Sequence, residues 1–233
     1  MTEENSTLTP DSELVSRKRK RSRAFLKGYI IVSTLLILIF WIIPEIKNEL
    51  LNVSRVKAIS NSKQLGIALF YFSDEYGNYP GPKTVDLINA KYPNHSFDLS
   101  GNSSNAIFRQ LFAAEITESE ILFYAKTRDA IKPDNNISHG EALKKGEVGF
   151  AYISGLSSKD NPSTPITLTP LIPGTTKFDP KPYGGKAIIG QLDNSARTYD
   201  INKDGHVYDK DGDILSPNHP IWNGKTPTIH YPE

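Results

Sequence analysis

LNVSRVKAISNSKQLGIALFYFSDEYGNYPGP, Leu51 to Pro82, decides how this chain is read. Leu65, Leu69, Phe72 and Tyr76 recur at helical spacing and so line one face of a helix. Upstream, Ile46, Leu50 and Val53 follow the same period, and the polar patch Ala58 to Lys63 between the two sets predicts an exposed stretch or a break. Gly77-Asn78-Tyr79-Pro80-Gly81-Pro82 stops the helix, because glycine favours turns and proline can neither donate its amide nor follow a helical residue comfortably. A helix with one apolar face needs a cover, and a sheet built from the rest of the chain supplies it.

Towards the N-terminus, YIIVSTLLILIFWII (Tyr29 to Ile43) carries no charge, and seven basic residues precede it: Arg17, Lys18, Arg19, Lys20, Arg21, Arg23 and Lys27. With Ala24 to Lys27 added, the stretch approaches the roughly 20 residues a spanning helix needs. The Lys/Arg excess on its N-terminal side predicts that the N-terminus stays in the cytosol and the C-terminus is exported. The expected organisation is a disordered basic cytosolic tail over residues 1–23, a transmembrane helix over 24–44 and an exported α+β domain over 45–233. That places a single-pass protein in a bacterial inner membrane, with the bilayer as partner and the C-terminal domain periplasmic or extracytoplasmic. The 233-residue chain has no cysteine, which excludes disulfides, thiolate zinc sites and thiol nucleophiles. Its net charge of +1 leaves the segment beyond the basic cluster close to neutral, which argues against nucleic acid as a partner.

Towards the C-terminus, Ser103 or Ser104 can cap a helix from Asn105 to Glu115 whose core face is Ile107, Phe108, Leu111 and Phe112. A short helical turn or extended piece follows at Glu120–Ala125. Gly149–Ile153 and Ile166–Ile172 read as strands, and Lys186–Ile201 as a hairpin turning at Asp193-Asn194-Ser195. The tail SPNHPIWNGKTPTIHYPE reads as ordered and wrapped over the sheet, with Phe178, Trp222 and Tyr231 packing there. The fold class is therefore α+β: a spine helix, membrane-spanning in its first half, packed on a small antiparallel sheet with a loop-rich C-terminus.

The run Lys57-Ala58-Ile59-Ser60-Asn61-Ser62-Lys63-Gln64-Leu65-Gly66-Ile67-Ala68-Leu69, continued by Tyr76-Gly77-Asn78-Tyr79-Pro80, resembles the segment after the membrane helix in bacterial prepilin-type proteins, the type II secretion pseudopilins among them. The resemblance implies a structural or assembly component of a type II secretion or type IV pilus-like system, partnered by other pseudopilin-like subunits through the spine helix. It also implies a processing site at Gly28 and Tyr29. Ser33 stands where that family carries the glutamate that pairs with a neighbour's new N-terminus. The alternative is a monomeric, membrane-tethered, extracytoplasmic binding module stabilised by calcium.

The calcium expectation rests on DINKDGHVYDKDGD, residues 200–213. Asp200, Asn202 and Asp204 occupy loop positions one, three and five, Gly205 the sharp turn, the His206 carbonyl position seven and Asp211 position twelve. Calcium takes six to eight oxygens, which alternating carboxylates around a glycine turn can offer. The competing reading is a solvent-exposed turn with no metal, for which the same residues are favoured. None of the five histidines has metal-binding spacing and all lie in loop-like sequence, so they are expected to be exposed. No nucleophile elbow, phosphate loop or zinc-protease motif is present. Glu118 and Glu120, or Asp209 and Asp211, form the nearest approach to a carboxylate pair, and a solvated surface explains both. No enzymatic role is expected.

Overall fold

The computed structural model describes residues 10–233; residues 1–9, and the side chains of 10–26, 28, 30 and 31, lie outside the description. The chain divides into Met1–Leu50 and Leu51–Glu233. Helix α1 runs Pro10–Tyr76 without a break. It starts inside the segment expected to be a disordered tail, the first part of which lies outside the described residues. In the first unit, the side chains from Val32 through Ile43 are mostly apolar and exposed, Phe40 and Trp41 most of all.

The expected membrane span is corrected. Among the described residues, no helix is long and apolar enough to cross a membrane. The physical reason lies in the boundaries of the run. Lys27 interrupts the stretch from residue 24 to 44, and Glu45, Lys47 and Glu49 follow it closely, so the uncharged portion falls short of the roughly 20 residues that hydrocarbon demands. The readings of a single-pass transmembrane protein, an inner-membrane location and an exported domain fall with it. The α+β class itself stands.

The second unit contains α2 (Val85–Lys91), α3 (Ser104–Ala113), β1 (Ala151–Ser154), β2 (Pro165–Thr169), β3 (Lys186–Gln191), β4 (Ala196–Asp200), the short ribbon β5 (Tyr208–Asp209) and β6 (Gly212–Asp213), and β7 (Thr228–His230). Five strands form one antiparallel sheet in the order β4-β3-β2-β1-β7. The hairpin β3–β4 forms as its sequence predicts, with Asn194 in the left-handed conformation at the turn. The tail, expected to wrap irregularly, instead adds β7 beside β1, with Tyr152 opposite His230 and Ile153 opposite Ile229.

Strand alternation sends residues to two separate cores. Tyr152, Ile166 and Ile188 point into a layer containing Leu65, Leu69 and Phe72 of α1 and Ile107, Phe108 and Leu111 of α3. Ala151, Ile153, Leu168, Ala187 and Ile189 point the other way, onto Phe178, Val207, Ile214, Leu215 and Trp222. The sheet is thus covered on both faces, which explains why β2 is buried along its whole length. The helix face expected from Leu65, Leu69 and Phe72 is buried as predicted, whereas Ile46, Leu50 and Val53 remain exposed.

The polar patch of α1 is neither a break nor a solvated stretch. Asn61 donates to the carbonyls of Ile121 and Tyr124, both at 2.8 Å, and the Ser62 hydroxyl lies 3.0 Å from that of Thr167 on β2. A side chain at Gly190 would overlap both hydroxyls, so this glycine lets the helix approach β3. Asn61 and Ser62 therefore lock the spine to the sheet and to the 3-10 turn Glu120–Phe123.

Candidate functional site

Among the described residues, two groups of side chains could hold a metal ion: Asp209, Asp211 and His219, and separately Glu120, Asp134 and Glu147. Within each group, one ligand atom per residue lies within 4.8 Å of the others.

The first group lies at the loop where calcium was expected, but its membership differs. Of Asp200, Asn202, Asp204, His206 and Asp211, only Asp211 belongs to it. Asp200 closes β4 and pairs with Lys186 on β3. The Asn202 side-chain oxygen accepts the amides of Asp204 at 3.0 Å and His206 at 2.8 Å, and the His206 carbonyl accepts the amide of Asn202 at 2.9 Å. These bonds close an Asx-type turn over Gly205, whose φ of 89° requires a residue without a Cβ. His206 Nδ1 lies 2.7 Å from Asp213 Oδ2. The Asn202 side chain and the His206 ring are thus held by partners within the loop.

Asp209, Asp211 and His219 line a cavity of about 540 Å³ with Gln191, Arg197 and Tyr199. His219 is 4% exposed, a correction to its expected loop exposure. Its Nδ1 accepts the amide of Ile221 at 3.3 Å, which leaves the proton on Nε2 for donation to Asp209 Oδ1 at 2.9 Å. Burial alone would push the pKa of the Asp209 carboxyl up, but the hydrogen bonds from His219 and from the amides of Asp211 and Gly212 outweigh it and hold the carboxyl below its ordinary value. A depressed folded pKa contributes stability above the unfolded value, and that contribution disappears as pH falls through the folded value. Asp209→Asn is therefore expected to flatten the acid side of a plot of melting temperature against pH.

His230 is also buried, at 2% exposure. Its Nδ1 donates to the carbonyl of Asn102 at 2.9 Å, and its Nε2 accepts from the Ser154 hydroxyl at 2.7 Å. The arrangement joins β7, β1 and the loop before α3. Tyr29 of the expected processing site is exposed on α1, and Gly28 lies in the same helix.

Of the second group only Glu120 figured in the sequence, as half of a solvated pair with Glu118, and its 0% exposure corrects that reading. Glu120 opens the 3-10 turn that Asn61 holds against α1. Glu147 lies just before β1, beyond a loop that α3 clamps: Arg109 donates to the carbonyls of Ala142 at 2.9 Å and Leu143 at 3.0 Å, and Asn105 donates to that of Leu143 at 3.0 Å. Glu120 Oε1 accepts the amide of Leu143 at 2.6 Å, and Glu147 Oε2 that of Lys144 at 2.6 Å. Asp134 completes the group from an exposed loop, its Oδ2 accepting from Lys144 Nζ at 3.0 Å. Burial pushes the Glu120 carboxyl up; the amide of Leu143 opposes this and the charges of Glu147 and Asp134 add to it. Local spacing could not reveal this group, because its members come from separate segments of the chain.

No family model, curated protein or solved structure matches this chain.

Proposed function

We propose that this chain is a pseudopilin-like structural subunit of a type II secretion or type IV pilus-like assembly, with no catalytic role, and that it joins its neighbours through α1. One observation carries the reading. Val32, Leu35, Leu36, Phe40, Trp41 and Ile43 are all exposed on one long helix, and the same helix leaves Ile67, Phe70 and Tyr71 exposed beyond its buried face. Apolar surface of this extent is covered in use, and equivalent helices of other copies are the complementary partner. The spine helix with an antiparallel sheet, and the Lys57–Pro80 segment, support the same reading. Cleavage before Tyr29 is part of it, and N-terminal sequencing of the isolated protein would show a chain beginning there.

The absence of cysteine makes the assembly test clean. Phe40→Cys is expected to form a disulfide-linked dimer under mild oxidation, and Asn136→Cys, on an exposed loop of the second unit, is not. A chain that remains monomeric in sedimentation at every concentration, with no Phe40→Cys dimer, overturns the reading.

That outcome would favour a second one, a monomeric binding module whose C-terminal loop calcium stabilises. The Asp209–Asp211–His219 group beside its cavity favours it. Asp211→Asn would then abolish a calcium-dependent rise in melting temperature.

A further inference from the structure

We infer that Glu120, Asp134 and Glu147 form a calcium site, separate from the C-terminal loop and independent of the assembly reading. Glu120 and Glu147 are 0% and 4% exposed, yet their carboxylates face each other and Asp134 within 4.8 Å. Among the described residues, the only lysine or arginine paired with the group is Lys144, which serves Asp134 and Glu141 at the exposed side and leaves the two buried glutamates without a cation. Two buried like charges with no compensating cation are costly to hold together.

Glu120 Oε2 is the second observation. It is fully buried and has no hydrogen-bond partner among the described residues, although its twin Oε1 is bonded to the Leu143 amide. An orphaned acceptor in a native interior demands an explanation, and a bound cation is one of the few available. Burial and the neighbouring carboxylates push Glu120 up, and a bound cation would offset that cost. Backbone amides of Leu143 and Lys144 donate to Glu120 and Glu147, and the Asp134 amide points at Glu147 Oε1 at 3.4 Å.

The donor set selects the metal. All three ligands are hard carboxylate oxygens, with neither nitrogen nor sulfur, which suits calcium or magnesium over zinc or copper. Ligand oxygens within 4.8 Å of one another fit around one calcium at about 2.3–2.6 Å, and calcium accepts the irregular geometry of carboxylates from three separate segments more readily than magnesium, which demands a near-ideal octahedron. The frame is rigid: Asn61 fixes the turn bearing Glu120, while Arg109 and Asn105 fix the loop before Glu147. A bound calcium would join the 3-10 turn, the loop of Asp134 and the entry to β1, and so tie α1 and α3 to the sheet.

The test uses the full chain, stripped with chelator and titrated with calcium chloride while thermal unfolding and heat of binding are followed. Calcium at about one hundred times its dissociation constant is expected to raise the melting temperature by about 5–10 °C. Glu120→Gln is expected to abolish the shift, and Asp211→Asn to keep it. Glu120→Gln removes a buried charge and should fold; if circular dichroism shows that it does not, Glu147→Gln takes its place with the same expected loss. No shift in the unaltered chain overturns the inference, as does a shift that the glutamine variant retains or that Asp211→Asn removes.

Discussion

Phe108→Ala is expected to lower the unfolding free energy by about 3–5 kcal/mol, the usual cost of emptying an aromatic site in a packed core. Phe108 is 0% exposed and joins three elements at once. Its ring lies 5.2 Å from that of Phe123 in the 3-10 turn and 5.3 Å, edge-on, from that of Tyr152 on β1. Phe112, one turn further along α3, packs on the same Phe123 ring at 5.5 Å. The cavity left by alanine cannot collapse readily, because α3 is capped by Ser103, whose hydroxyl accepts the Ala106 amide at 3.1 Å, and is tied down by Asn105 and Arg109. Urea unfolding should show a lower midpoint with an unchanged slope, the signature of lost stability without a change in the surface exposed. A loss below about 1 kcal/mol would mean that the aromatic layer is not the centre of the core.

Gly149→Ala is expected to cost about 3 kcal/mol or more, at the upper end of overpacking effects. A Cβ at this position would overlap the backbone of Ala125, and a backbone cannot rotate aside as a side chain can. Gly149 also donates its amide to the Phe123 carbonyl at 3.0 Å, so the close approach is part of the joint between β1 and the turn that carries Glu120. Thermal unfolding measures the loss, and the calcium response gives a second readout. If the joint moves, Glu147 moves with it, and the calcium-induced shift should weaken in the alanine variant. Gly77→Ala is the contrast, because nothing lies within 4 Å of a Cβ there and only the cost of a φ of 73° remains.

Helices and strands were legible where a local rule is strong. Leu65, Leu69 and Phe72 are on the buried face that their spacing indicates, Ser103 caps α3, and Asp193-Asn194-Ser195 turns the hairpin. Hydrophobicity alone misled over the first unit. The run from Tyr29 to Ile43 reads as a membrane span when neighbouring charges are discounted, whereas Lys27 and Glu45 limit its length. The loop at 200–213 matched a calcium pattern by residue type, but its side chains close hydrogen bonds with its own amides, a competition that a linear pattern does not describe.

The sequence by itself determined the local elements, since helical and strand periods, caps and turns depend on residues a few positions apart. It also excluded every chemistry that needs a thiol. Only the tertiary structure decided that the tail becomes β7, that His219 and His230 are buried, and that Glu120 meets Asp134 and Glu147. Those outcomes depend on which distant segments share one core. Burial and electrostatic pairing are set by three-dimensional neighbours, and no spacing along the chain encodes them.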